Sequence, residues 1–251
     1  MKKKLKSFYL IVSSLFICML HLPFAFGKKT TIRNIPAPAE KKLTRSVDSV
    51  SLISSFHSVY DSLHLAASGL NKKAFDLARN GFMKMLQQGK VANDSVISIV
   101  DFSQPSNSKR FYVVDIKNYK VLFNTLVSHG RNSGTVWAQS FSNKTSSYKS
   151  SLGFYVTGST YRGSNGYSLK LSGLENGINS NALRRAIVMH GAEYVDESYI
   201  QKQGYIGRSQ GCPAVPMPEA KEIINTIKDG SCLFIYSPDK SYTQRSRLSK
   251  G

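Results

Sequence analysis

Cysteine, acid and long apolar runs are scarce in this 251-residue chain. Only three cysteines occur, at positions 18, 212 and 232. A scaffold stapled by disulfides is therefore excluded, and the core must come from hydrophobic burial. The longest apolar stretch, Phe8 to Leu20, is 13 residues. That falls short of the roughly 20 residues a spanning helix needs. No CxxC or HxxxH pair is present, so the usual spacing of a zinc site is missing. Asp and Glu number 15 against 34 Lys and Arg, a net charge of +19. The basic residues are dispersed and do not alternate with aromatics as in a nucleic-acid groove. An anionic polymer outside the cell or a membrane surface fits that charge better than nucleic acid. No internal repeat is visible.

Several features are present and informative. MKKKLK, the apolar run and an Ala25-x-Gly27 exit have the layout of a secretory signal over residues 1–27. Export to a periplasm or cell envelope is expected, with no stable membrane insertion once the signal is cleaved. Residues 28–47 are polar and basic, contain Pro36 and Pro38, and read as a linker. A helical period then runs from Asp48 to Leu65 on Val50, Ile53, Phe56, Tyr60 and Leu63, and Gly69 breaks it. Asn71 caps a second helix with Phe75, Ala78, Phe82 and Met85 on one face and Gly89 at its end. Residues 48–90 thus form a helical hairpin that must dock on something larger.

From Asp94 the period changes to that of strands. SVISIVDF, RFYVVDI, YKVLFNTLV, GFYVTGSTY, YSLKLSG, AIVMHG and CLFIYS are rich in β-branched and aromatic residues. Pro218 opens a helix with Ile223, Ile224 and Ile227 inward. The fold class expected is mostly β, sandwich-like, over residues 94–238, with the N-terminal hairpin and one C-terminal helix. The basic tail 239–251 is expected to fray.

Chemistry concentrates at YIGRSQGCPAVP, Tyr205 to Pro216. A thiol such as Cys212 becomes a nucleophile when a base takes its proton or a cation lowers its pKa. His129 and His190 each end a predicted strand just before a glycine, and either could be that base. His57 and His64 belong to the hairpin. Gly211 lets a substrate approach the backbone, Pro213 fixes the following φ, and Arg208 adds positive charge. A Cys212–Cys232 disulfide, or a zinc site of Cys212, His190 and His129, are the rival readings of the same residues.

IVMHG followed by GRSQGCPAV resembles the active-site signature of L,D-transpeptidases of the YkuD type, and is close to one branch of that family. The resemblance spans about Ser46 to Pro238 and includes VDFSQPSNSKRFYVVDI, VLFNTLVSHGRNSG and SCLFIYSP. It implies Cys212 as nucleophile and His190 as general base, with the Gly191 carbonyl holding the other ring nitrogen. It further implies the Gly211 and Cys212 amides as oxyanion donors. Arg208, Ser209, Gln210 and His129 then fall around the substrate, Ser209 in a supporting position. Gln210 stands where the signature has a histidine, and Pro213-Ala214 replaces an apolar residue and Asn or Arg. The implied reaction is acyl transfer on peptidoglycan stem peptides, without metal or organic cofactor. A non-catalytic peptidoglycan-binding module of the same fold is the alternative.

Overall fold

A computed structural model describes residues 59–250. The chain divides into two units, residues 1–45 and 46–251, of which the first lies outside the described residues. The expected signal, linker and most of the first hairpin helix lie outside them as well. Residues 59–62 are helical and lead through a turn to Gly69, whose φ of +90° suits glycine. Among the described residues no helix is long and apolar enough to cross a membrane.

Helix α1 (Lys72–Gln87) begins where expected. The Asn71 side chain accepts from the amides of Lys73 and Ala74, satisfying two donors that a helix start leaves free. Its apolar face buries Phe75, Ala78, Phe82 and Met85. Gly81 sits in the middle of that face, where a Cβ would lie 2.0 Å from Phe154 Cζ. The missing side chain lets the helix lie directly on the Phe154 ring. That ring stacks on Phe234 at 4.2 Å, and burying each such ring contributes about 1.5–3 kcal/mol.

Eight strands form one sheet: β1 (Val96–Asp101), β2 (Phe111–Asp115), β3 (Lys120–Thr125), β4 (Gly153–Gly163), β5 (Gly166–Gly173), β6 (Val188–Ala192), β7 (Ala214–Pro216) and β8 (Cys232–Tyr236). Their order is β3-β2-β1-β8-β4-β5-β6-β7. The two edges approach one another. Past β3, the Ser128 amide donates to the Ala214 carbonyl of β7 at 2.8 Å, and Gly130 bridges to Ser209. The sheet is therefore nearly closed, and the mostly-β expectation holds.

Helix α2 (Glu197–Gln203) lies in the loop between β6 and β7, and α3 (Met217–Ile227) follows β7, with Ile223, Ile224 and Ile227 buried. The tail does not fray. Helix α4 (Lys240–Arg245) is capped by Asp239, and Tyr242 and Leu248 are buried. Glu175 ties it down: one carboxylate oxygen accepts from Phe154 N–H and Tyr242 O–H, the other from Ser246 O–H.

Candidate active site

Strands β6 and β7 run parallel with His190 opposite Ala214. Cys212 lies two residues before Ala214, at the level of Val188. The register therefore brings the thiol to the strand that carries the histidine. The Val188 amide points at Cys212 Sγ at 3.5 Å, and the thiol faces the Ala186 carbonyl at 3.7 Å. Ala186 was expected to begin the strand. Instead it adopts φ +52°, which turns its carbonyl toward the sulfur, and the strand starts at Val188. Cys212 and His190 line one cleft of about 650 Å³.

Both side chains are nearly buried. Burial pushes the Cys212 thiol above its ordinary range, opposed by the Val188 N–H and the charge of Arg185. Burial pushes the His190 imidazole below its ordinary value, opposed by its hydrogen bond to Gly191. That bond, Nδ1–H to the Gly191 carbonyl at 2.8 Å, leaves Nε2 with a free lone pair.

The turn holding the cysteine is fastened by Ser209. Its hydroxyl donates to the Cys212 carbonyl at 2.7 Å and accepts from the Gly211 amide at 3.0 Å. The Gly211 amide is therefore engaged, contrary to the expectation that it serves an oxyanion. Gly211 matters for its backbone: φ is +122°, and a Cβ would lie 2.7 Å from the Lys149 carbonyl. The Cys212 amide has no partner among the described residues.

His129 does not join the site. It is fully buried behind the Cys212 turn. Arg110 donates to its Nδ1 at 2.8 Å, so Nε2 carries the proton and donates to the Gly134 carbonyl at 3.2 Å. Burial and the adjacent Arg110 charge lower its pKa to about 4. Only its backbone touches the cysteine loop, accepting from the Ser209 amide. The three groups of the zinc reading are accordingly not gathered. The disulfide reading fails too: both thiols are free, and Cys232 packs on Met85 Sδ at 3.7 Å.

Arg208, Ser209 and Gln210 all line the cleft. Arg208 is steadied by the Gly134 carbonyl at 3.1 Å. Three further arginines, Arg131, Arg184 and Arg185, line it with no carboxylate among them. Sequence reading missed these three. Arg184-Arg185 immediately before AIVMHG was the available signal. Arg185 is anchored on neutral oxygens, the Ser142 carbonyl at 2.8 Å and the Lys149 carbonyl at 2.6 Å. Its charge thus remains uncompensated beside Cys212. Arg131 lies over the Tyr148 ring at 4.0 Å, a cation–π contact.

The family model of the L,D-transpeptidase catalytic domain matches residues 66–236, from the turn before α1 to the end of β8. The chain belongs to the L,D-transpeptidase catalytic-domain family. No curated protein matches it. Among solved structures it is similar to L,D-transpeptidase 3 from Mycobacterium tuberculosis, at 15% identity and TM-score 0.35, covering 57% of this chain and 61% of that one. An L,D-transpeptidase from Mycobacterium smegmatis is similar at 13% identity and TM-score 0.35, with 57% and 59% covered. An L,D-transpeptidase (Yku) from Stackebrandtia nassauensis is similar at 15% identity and TM-score 0.35, with 68% and 69% covered. The chain thus spans about six tenths of the length of the two mycobacterial proteins.

In this L,D-transpeptidase domain Gln210 is exposed on the cleft wall and Pro213 is buried behind it. A second hollow of about 470 Å³ adjoins the first at His190, with Met217, Lys221 and Glu193 on its far side. His190 therefore stands between two openings.

Proposed function

We propose that this chain is a cysteine-dependent acyl transferase acting on peptidoglycan stem peptides. Cross-linking transfer is its main reaction, and hydrolysis of the same intermediate gives L,D-carboxypeptidase activity. One observation carries the reading: a free thiol and an imidazole with an open Nε2 line one cleft together with four arginines and no acid. Stem peptides carry several carboxylates, and that lining complements them.

The protons and bonds balance without a cofactor. His190 Nε2 takes the thiol proton as Cys212 Sγ attacks the carbonyl carbon at the L-centre of meso-diaminopimelate. The unpartnered Cys212 amide faces the developing oxyanion. The carbon–nitrogen bond breaks, and the imidazolium returns its proton to the departing D-alanine amine. A thioester remains. An amine of a second stem, or water, then attacks it, loses a proton to His190, and releases the thiol. The hollow on the far side of His190 offers that acceptor an approach. Export through residues 1–27 delivers the domain to the periplasm or cell envelope, where this substrate lies.

The test is mass spectrometry of muropeptides incubated with the wild type and with Cys212→Ser. Release of D-alanine and appearance of cross-linked dimers with the wild type alone supports the reading. Retained binding of stem peptides with no turnover by either protein replaces it with a binding module, to which Gln210 and Pro213 would then be the adaptation.

A further inference from the structure

A third hollow, of about 390 Å³, lies away from Cys212 and is lined by Phe102, Trp137, Gln139, Ser237, Pro238 and Asp239 among others. Its volume falls within the roughly 300–1,000 Å³ of small-ligand sites. Trp137 is the only tryptophan in the chain and is 47% exposed.

The loop holding it is cross-linked by backbone hydrogen bonds. The amides of Gln139 and Ser140 both donate to the Ser133 carbonyl, and the Ser106 amide donates to the Val136 carbonyl. Gly134, at φ +151°, passes so close to Trp137 that a Cβ would lie 1.9 Å from its carbonyl oxygen. The indole is thus presented by a tight, cross-braced loop.

The polar groups around it are mixed, and some are unpaired. Among the described residues the indole N–H and the Gln139 side-chain carboxamide make no hydrogen bond. Asp239 uses Oδ1 to cap α4, at 2.7 Å from the Ser241 amide, and leaves Oδ2 over. Ser237 adds a hydroxyl. No lysine or arginine lines this hollow, whereas four arginines line the catalytic cleft. The cleft therefore favours anions, and the hollow, with the Asp239 carboxylate as its one charged group, disfavours them.

An aromatic face beside unpaired donors and acceptors suits a pyranose ring. The axial C–H groups lie on the electron-rich indole face while the hydroxyls and an acetamido group pair with the rim. We propose that the Trp137 hollow is a binding subsite for a neutral N-acetylated amino-sugar chain. The claim that this chain is the glycan carrying the stem peptide rests on the proposed function. The same loop links the two sites. Arg131 lines the cleft and Trp137 the hollow, and six residue steps span at most about 20 Å. One polymer bearing neutral sugars and anionic peptides can engage both.

Because Trp137 is the sole tryptophan, its emission reports this hollow alone. Chitotetraose, a glycan without peptide, is titrated into full-length Cys212→Ser protein. The expected result is a saturable emission change that is insensitive to added salt, since the ligand is neutral. Gln139→Ala, read the same way, weakens binding by roughly three- to tenfold, the worth of one hydrogen bond. In the Cys212-intact protein, Trp137→Ala leaves turnover of a free tetrapeptide unchanged and raises KM for glycan-linked strands. No emission change at millimolar chitotetraose, an equal response to an uncharged apolar peptide, or an unchanged KM on strands overturns the proposal. Failure of the catalytic reading is seen separately, as absence of tetrapeptide turnover by the wild type while the sugar titration still reports.

Discussion

His190 donates its Nδ1–H to the carbonyl of the very next residue, Gly191, across 2.8 Å. This short loop does what a carboxylate does in a Ser-His-Asp triad: it fixes the tautomer and the ring plane. It also stabilises an imidazolium less than a carboxylate would, because the partner is neutral. Gly191 must be glycine for the arrangement to fit. A Cβ there would lie 2.8 Å from both Ala220 Cβ and Met217 Sδ, in the first turns of α3. The helix after β7 therefore locks the strand that carries His190.

The resting site is expected to hold a neutral thiol and a neutral imidazole, not a preformed ion pair. Burial raises the Cys212 thiol from its ordinary 9.0, and burial lowers His190 from its ordinary 6.5. Iodoacetamide labelling of Cys212 should therefore climb with pH into the alkaline range. The acid limb of kcat/KM should lie below pH 6.5, since His190 stays unprotonated until then. His190→Gln should lower kcat/KM by about 10²- to 10⁴-fold. Labelling that levels off near neutral pH would reveal a thiolate already formed and contradict this picture.

The arginines should divide into two kinds. Arg184 makes no hydrogen bond among the described residues, and the Arg131 guanidinium has only the Tyr148 ring. Both are free to meet substrate carboxylates. Arg131→Gln and Arg184→Gln should each raise KM for a stem peptide by roughly five- to tenfold with kcat little changed, an effect that shrinks with salt. Arg185 braces the Ser142 and Lys149 carbonyls and lowers the Cys212 pKa by its charge. Arg185→Gln should therefore reduce kcat. Steady-state kinetics at two ionic strengths separates the two behaviours; an equal kcat loss in all three variants would refute the division.

Most of the frame was legible in the sequence because local signals and packing agreed. Asn71 capped its helix, and each expected strand is found. The discrepancies arise where tertiary contacts decide. Ala186 precedes a β-branched run and reads as strand, yet the sulfur two dozen residues later sits where its carbonyl must turn. The tail from Asp239 looks polar, but Glu175 on another segment gathers Tyr242 and Ser246. His129 and His190 have nearly the same local setting, a strand end before glycine. Their fates differ because Arg110, a buried guanidinium from β2's approach, reaches one and not the other. No spacing in the sequence announces that contact. The Gly211 amide likewise meets a contact no spacing announces, the hydroxyl of the serine two residues away.

The Arg110–His129 pair gives the fold a measurable acid sensitivity. Arg110 is fully buried, with burial lowering its pKa to about 9, and its guanidinium donates to the Val127 carbonyl as well as to His129. Facing His129 are the Arg110 and Arg208 charges and the Gly134 carbonyl. Native His129 resists protonation until about pH 4, whereas in the unfolded chain it titrates at 6.5. Between those values the unfolded chain binds the extra proton, so stability is present above pH 6.5 and is lost as pH falls toward 4. The loss from this one group reaches about 3 kcal/mol. Urea unfolding at neutral pH and at pH near 5 captures about 2 kcal/mol of it. His129→Gln should lower stability at neutral pH, where the Arg110 contact is disturbed, yet flatten the difference between the two conditions. An unchanged difference in the variant would show that other groups carry the acid sensitivity and that His129 is already charged in the native protein.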